Sequence, residues 1–325
     1  MGDTDSYLVY ATSSYHYYLK ALCEYEGFES GGLERQVFPD GERLLRLKGP
    51  VRDRNIILFG GTIHDHETLE LYDLASGLVQ HGANKLMMVV PYFGYSTMER
   101  AIKKGDIVTG KIRALLLSSI PRARVCNEIV MIDLHTPGIG HYFEGHILPY
   151  HIYSKRLIAE VIRNFADYPD VVLASTDAGR AKWVEHLANV LNIEAAFVYK
   201  RRLSGEHTSI RGINADVKGR HVVVYDDMIR TGGSLMKAAR AYKEAGAKTI
   251  TAITTHGVFP GESAQKIMES DLFDKVFVTD THPRALEIGL AFSDDPRFEV
   301  HSMIPDLVDF IRNRDDFEDD HLQNH

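Results

Sequence analysis

VVVYDDMIRTGGSL, residues Val222–Leu235, decides how the whole chain is read. It begins as an unbroken apolar run, the pattern of a strand buried on both faces of a parallel sheet. Asp226 and Asp227 stand where that strand is expected to end. Arg230, Thr231, Gly232, Gly233 and Ser234 follow as a short turn. The helix it opens carries Leu235, Ala238, Ala239 and Tyr242 at i, i+3, i+4 and i+7. Glycines permit unusual backbone angles and close approach, and amides at a helix N-terminus favour an anion. Two carboxylates beside such a nest would repel a bare phosphate. They suit a ligand with phosphate at one end and hydroxyls, or a divalent cation, at the other, and a phosphorylated sugar has that form. A diacid or a Gly-Gly pair alone would merely cap or shape a turn. The full run of strand, DD, three residues, TGGS and helix points to the sugar phosphate.

Outward from this stretch, strands and helices alternate. Strands are expected at 7–11, 55–59, 86–91, 128–134, 171–175, 195–199, 221–225, 249–255, 275–279 and 299–303. Helices are expected near 14–25, 67–81, 107–120, 153–165, 179–191, 234–245 and 304–312. That order predicts an α/β protein with mainly parallel sheets flanked by helices. Leu71, Leu74, Ala75, Leu78, Gly82 and Ala83 match Leu235, Ala238, Ala239, Tyr242, Gly246 and Ala247 at one constant offset. The match predicts two similar halves, only one of which has the phosphosugar loop; the other reads GGTIHDH. We place the domains at 1–150 and 151–303, followed by a helix and acidic tail, 304–325, free to return to the first half.

Composition narrows the function classes. The 325 residues are 44% hydrophobic and 25% charged, which is ordinary for a globular protein. The net charge of −8 argues against nucleic acid as a partner. No apolar run has the length of a membrane span, and the N-terminus lacks a signal-peptide layout. Cys23 and Cys126 make neither a CxxC nor a disulfide framework, so a reducing, cytoplasmic setting is expected.

Three more stretches carry chemistry. IVMIDLHTPG, 129–138, ends a buried strand in Asp133, Leu134 and His135, on the sheet edge where ligands bind; the plainer reading of His135 is a hydrogen-bonded loop histidine. VVLASTDAGRAKW, 171–183, sets Asp177 ahead of a helix, as an N-cap or as a ligand of Mg²⁺ on phosphate oxygens. YKRRLSGEHTSIRG, 199–212, sends Lys200, Arg201 and Arg202 out of a strand into a polar stretch. It is either a charged hairpin or a cationic lid over phosphates, and the nearby phosphosugar loop favours the lid.

Together with FPDGE (38–42), VVPYFGY (89–95) and THGVFPG (255–261), these motifs fall in one order along nearly the whole chain. In that order they resemble the ribose-phosphate pyrophosphokinases, the phosphoribosyl-pyrophosphate synthetases. The resemblance implies two tandem phosphoribosyltransferase-like domains and transfer of a diphosphoryl group from ATP to the C1 hydroxyl of ribose 5-phosphate. It implies Mg²⁺ associated with His135 and Asp177, and catalytic roles for Lys200 and Arg202. It further implies a homo-oligomer, dimer or higher, in which Phe38, Asp40 and Glu42 reach a neighbour's nucleotide site. Most members follow the VVPYFGY segment with Ala-Arg-Gln-Asp, whereas this chain reads Ser96, Thr97, Met98, Glu99, Arg100. The usual Arg and Gln are therefore replaced by Thr97 and Met98, and Glu99 and Arg100 become the local nucleotide-binding candidates. Arg230 stands where an Asp is usual. Glu99 and Arg100 with Gly105 and Asp106, TGGS in place of TAGT, THGVFP and VTDTHP look more like the divergent class II synthetases described from plants, a subfamily regarded as independent of activating phosphate and less selective for the donor. Two other readings stay open: a phosphoribosyltransferase that consumes phosphoribosyl pyrophosphate, and a non-catalytic regulatory homologue.

Three tempting patterns are set aside. GDIVTGK, 105–111, has Walker A spacing but lacks a preceding strand and the following Ser/Thr. The His64–Asp65–His66 run lacks a third metal ligand at useful spacing and reads as a polar loop. The Tyr15–His16–Tyr17–Tyr18 cluster reads as helix packing rather than a base-stacking platform.

Overall fold

The computed structural model describes residues 6–165, 170–176, 179–204 and 207–313, with side chains except at 199–211. The chain divides into two compact units, one running to Tyr153 and rejoined at Ile304, the other Ser154–Met303. No helix among the described residues is long and apolar enough to cross a membrane.

The first unit contains β1 (Tyr7–Ala11), α1 (His16–Leu22), β2 (Phe28–Ser30), β3 (Gly32–Val37), β4 (Arg43–Lys48), β5 (Asn55–Phe59), α2 (Asp65–Gln80), β6 (Lys85–Val90), α3 (Thr109–Ser118), β7 (Cys126–Ile132) and β8 (Ile147–Ile152). Its six-stranded sheet, β2-β1-β5-β6-β7-β8, is parallel throughout. β3 and β4 form a separate antiparallel hairpin. Because both sheet faces are covered, the strands are apolar end to end: Ile56–Phe59 and Leu86–Val90 are wholly buried. Tyr15 and Tyr18 are fully buried, and Tyr18 lies against Phe59 at 5.1 Å, so the tyrosine cluster is core packing.

The second unit contains α4 (Lys155–Arg163), β9 (Val171–Ser175), α5 (Ala181–Leu191), β10 (Glu194–Ser204), β11 (His207–Ile213), β12 (His221–Ile229), α6 (Gly233–Glu244), β13 (Thr249–Gly257), α7 (Ser263–Glu269), β14 (Lys275–Thr279), α8 (Pro283–Ala291) and β15 (Phe298–His301). Its sheet order is β11-β10-β9-β12-β13-β14-β15, parallel except for the β10–β11 pair. After β15 the chain forms α9 (Ile304–Asn313), which belongs to the first unit. There Phe310 packs edge-on against Tyr150 at 5.3 Å.

The internal repeat extends to hydrogen bonds. At the end of α2, Gly82 N donates to the Val79 carbonyl and Ala83 N to that of Leu78; at the end of α6, Gly246 N donates to Lys243 and Ala247 N to Tyr242. Both are Schellman caps with a left-handed glycine, at φ 91° in each case. The next links repeat as well: Asp53 N bonds the Gly82 carbonyl as Gly219 N bonds that of Gly246.

Three expectations need correction. β12 does not stop before the diacid but pairs with β13 as far as Ile229, opposite Gly257, so Asp226 and Asp227 are strand residues. Lys200 and Arg202 lie on β10 of a β-hairpin, opposite Ile210 and Thr208, rather than in an irregular loop. FPDGE joins two strands, β3 and β4, that the sequence pattern hid. Arg35 and Arg43 on the leucine face, and Leu44 on the opposite one, interrupt the alternation that would have marked them.

Candidate active site

In each parallel sheet, successive strands are added first to one side and then to the other. The carboxyl ends at the reversal form a natural crevice for a ligand. In the second unit that point lies between β9 and β12. Val224 sits there between Ala174 and Ala252, and Tyr225 lies beside Ser175, so the end of β12 is held on both sides. Asp226 and Asp227 occupy this edge.

Their partners are fixed. Thr176, just past β9, donates its hydroxyl to Asp226 at 2.9 Å. Asp227 is 2% exposed and pairs with Arg180 at 3.3 Å. Arg180 precedes the first turn of α5, and three residues later, within the helix, Trp183 stacks on Tyr225 at 4.6 Å. Burial, and then the charge of Asp227, push the Asp226 carboxyl up to about 8; the Thr176 hydroxyl and Arg180 offset this in part. Two adjacent carboxylates with one guanidinium leave the site short of positive charge, a state that hydroxyl donors or a hard cation would relieve.

The turn beyond them is built to expose amides. Gly232 takes the left-handed conformation at φ 74°, and α6 starts at Gly233 with no side chain capping its first turn. The leading amides have no carbonyl one turn back, and Thr231 and Ser234 beside them are exposed. Gly232 has no room for a side chain, since a Cβ would come within 2.6 Å of Ile267 on α7. From behind, the THGVFPG turn braces the strand: Val258 N and Phe259 N both bond the Ile229 carbonyl, at 3.0 and 3.2 Å. Phe259 is fully buried with φ 41°, a strained angle held by this contact and its packing. Arg230 is exposed at the mouth of the turn.

The remaining candidates lie elsewhere. His135 is exposed in the turn after β7, where Asp133, buried at φ 42°, and Leu134, whose amide bonds His151 Nε2 at 2.8 Å, turn the chain outward. Asp177, and the side chains of Lys200 and Arg202, lie outside the described residues. Phe38, Asp40 and Glu42 form the exposed tip of the β3–β4 hairpin, closed by Glu42 N on Asp40 at 3.1 Å. Glu99 and Arg100 face each other at 3.3 Å in the turn after β6, and the Glu99 carbonyl accepts from Tyr142. Among the described residues no group of three or more His, Cys, Asp or Glu is arranged to hold a metal by itself.

Sequence reasoning missed Arg180 and Ile267. Arg180 was visible only as a cation after DAG, and its target lies 47 residues away. Ile267 belongs to α7, one of two helices, with α8, absent from the expected list. The set-aside patterns resolve plainly. His64 caps α2 through Nδ1, accepting from Glu67 N at 3.1 Å. Gly110 of the Walker-like run is buried inside α3.

This combination defines a class: a two-unit α/β protein in which two adjacent carboxylates at a sheet reversal are followed by a glycine turn and an uncapped helix start. A profile described as the N-terminal domain of ribose phosphate pyrophosphokinase matches residues 7–120, and one described as the phosphoribosyl synthetase-associated domain matches residues 173–313. A ribose-phosphate pyrophosphokinase of Pasteurella multocida is 33% identical over 255 residues, covering 77% of this chain and 79% of that one. One from Chlorobaculum tepidum is 31% identical, covering 81% and 79%. The phosphoribosylpyrophosphate synthetase of Mycobacterium smegmatis has the same fold, with a TM-score of 0.81 over 96% of this chain and 99% of that one at 24% identity. The chain belongs to the ribose-phosphate pyrophosphokinase family.

Proposed function

We propose that the chain transfers a diphosphoryl group from ATP, or another nucleoside triphosphate, to the C1 hydroxyl of ribose 5-phosphate, forming phosphoribosyl pyrophosphate and AMP. The observation that carries the reading is the pairing of the Gly232 turn with Asp226 and Asp227. Amides and hydroxyls from Thr231 to Ser234, with Arg230 at the mouth, take the 5-phosphate, and the two carboxylates take ribose hydroxyls. The C1 hydroxyl oxygen bonds to the β-phosphorus, the bond from that phosphorus to the AMP oxygen breaks in line, and the hydroxyl proton passes to water. Such transfers depend mainly on positioning and charge stabilisation. Lys200 and Arg202 are assigned to the equatorial oxygens of the transferred group.

Magnesium is the cation this donor set fits. Carboxylate oxygens are its preferred protein ligands, it keeps several waters, and it is commonly shared with substrate phosphates rather than caged by protein. Within the second unit Asp226 and Asp227, with Asp177, are the residues that would hold it, and His135 of the first unit is linked to magnesium only by the family resemblance. Bound there, it would neutralise charge on the triphosphate. The nucleotide itself is assigned to Phe38, Asp40 and Glu42, supplied by a neighbouring copy in a dimer or larger homo-oligomer, and to Glu99 and Arg100. Val37 at 68% exposure and Phe38 at 39% favour a tip that is covered by a second chain. The free thiols of Cys23 and Cys126 fit a cytoplasmic setting.

Incubation with ATP and ribose 5-phosphate should yield AMP and phosphoribosyl pyrophosphate in equal amounts. No AMP, with pyrophosphate released from phosphoribosyl pyrophosphate and a base, would make the protein a transferase instead. Neither reaction would leave a regulatory subunit. Repeating the assay with GTP and CTP, with and without inorganic phosphate, tests class II behaviour.

A further inference from the structure

The hairpin that carries the Phe38–Glu42 tip has little apolar footing. Its inward side chains alternate along each strand: Leu33, Arg35 and Val37 on β3, Arg43, Leu45 and Leu47 on β4. Of these, the three leucines pack against the core below, while Val37 is largely exposed. The upper part of the hairpin is held by charge. Arg35 faces Leu45 and Arg43 faces Val37, so the two arginines are diagonal neighbours on one face, just beneath the tip. Both reach Glu70, in the N-terminal part of α2: Arg35 Nε at 3.0 Å and Arg43 Nη1 at 3.5 Å.

Glu70 is only 1% exposed, and it also accepts from the amide and hydroxyl of Ser13, both at 3.0 Å. Arg35 in addition donates to the Ala11 carbonyl at the end of β1. One buried carboxylate thus joins the loop after β1, helix α2 and both legs of the hairpin. Guanidinium–carboxylate bonds are strong and directional, so they fix an angle as well as a distance. A hairpin tied only by its leucines could tilt about its base.

We infer that Glu70 is a positioning residue for the nucleoside triphosphate: by clamping Arg35 and Arg43 it sets the angle at which the Phe38–Glu42 tip stands from the body of its unit. This rests on the reading that the tip contacts the nucleotide. Glu70 touches no substrate in this account. Its loss should therefore appear in nucleotide affinity and not in ribose 5-phosphate affinity.

The test is a mutant cycle on the full-length protein, with KM measured separately for ATP and for ribose 5-phosphate. Glu70→Gln should raise KM for ATP by about tenfold or more, since a displacement of about 1 Å can cost as much as 10²-fold. KM for ribose 5-phosphate should stay within about twofold. Arg43→Gln, which leaves Glu70 and its Ser13 bonds in place, should move ATP affinity in the same direction, and it serves if Glu70→Gln does not fold. The tip variant Asp40→Ala/Glu42→Ala should itself weaken ATP, and adding Glu70→Gln or Arg43→Gln to it should do little more. If the tip variant leaves KM for ATP unchanged, the nucleotide reading of the tip fails and the inference with it. If the tip variant weakens ATP but neither clamp variant does, the inference alone fails. Effects of clamp and tip that simply add would equally overturn it, because the clamp would then act by another route.

Discussion

The two sheet reversals are built alike and filled oppositely. In the second unit, β9 leads out to Thr176, β12 carries Asp226 and Asp227 beyond the last residue it pairs with β9, and the turn to α6 leaves its leading amides uncapped. In the first unit the corresponding strands are β1 and β5. Here α2 starts earlier in the repeat, capped by His64. At the constant offset that aligns the two helices, Glu67 and Glu70 fall where Thr231 and Ser234 stand. Both glutamates are 1% exposed and take hydroxyls from the β1 loop: Thr12 and Ser14 on Glu67, Ser13 on Glu70. By strand register rather than by that offset, Gly60 and Gly61 follow Phe59 as the diacid follows Tyr225, and they serve packing, since a Cβ at Gly61 would meet the Tyr15 hydroxyl at 2.5 Å. One crevice is the proposed anion site; the other holds two buried carboxylates of the protein's own. Within one repeated plan, a different helix start sets the two halves apart.

The comparison breaks most sharply if the second unit does not carry the chemistry. Lys200→Ala and Arg202→Ala should each lower kcat by about 10³-fold or more, the scale of a cation on a transferred phosphoryl group. Ribose 5-phosphate affinity should change only a few-fold, because the sugar phosphate is assigned to a different turn. Steady-state kinetics decide it, and a variant keeping more than about a tenth of wild-type kcat would remove these residues from the mechanism.

How much of this was legible follows the same division. The buried strands and the α6 helix could be read because apolar runs and 3.6-residue spacing are local signals; β1, β5, β9 and β14 run between the same residues as expected. The TGGS turn was legible because glycine at a left-handed helix start is a local signal; the contact with Ile267, which also requires glycine at 232, was not. The first unit's plug was not. Glu67 and Glu70 look like solvent-facing charges on an amphipathic helix, and only the fold brings Thr12, Ser13 and Arg35 onto them. Arg180 escaped for the same reason, and so did the hairpin beneath FPDGE.

A second test stays within the open crevice. Gly232→Ala meets both a left-handed backbone and Ile267 at 2.6 Å, so the turn must move. KM for ribose 5-phosphate should rise by about 10²-fold while the protein still folds, since the strain is confined to one turn. The single tryptophan, Trp183, stacks on Tyr225 beside the diacid, so its fluorescence should report ribose 5-phosphate binding directly. A Gly232→Ala protein that binds with wild-type affinity would show that the amides are not the anchor.

The smaller effects concern pH, and they compare the two crevices through their buried carboxylates. Asp226 has its folded-state pKa raised to about 8, so the fold prefers its neutral form. Its contribution to stability is then fully present below the unfolded value near 4 and is lost as pH rises toward 8. With ligands absent and metal chelated, unfolding free energy should fall by up to about 1.4 kcal/mol per pH unit from this group alone. Asp226→Asn should remove that slope. Equal slopes for variant and wild type from pH 5 to 8 would mean that the carboxyl is not held neutral.

Glu67 gives the weakest and most discriminating comparison. Burial raises its pKa, the hydroxyls of Thr12 and Ser14 lower it in part, and nearby Glu70 raises it again. The sign is that of Asp226: the neutral form is favoured in the fold, and stability falls as pH climbs from the unfolded carboxylate value through the raised one. Glu67→Gln keeps the shape and both hydroxyl partners, so its stability relative to wild type should improve steadily above about pH 4.3. The two crevices should then part on adding ribose 5-phosphate. Hydroxyls brought to Asp226 favour its charged form, so binding should release protons and flatten the slope that Asp226 causes. Nothing is expected to enter the crevice of the first unit, so the difference between Glu67→Gln and wild type should persist unchanged. Denaturant unfolding at several pH values, with and without the sugar phosphate, measures both. A Glu67 slope that also vanished on adding ligand would mean that the first crevice is not closed.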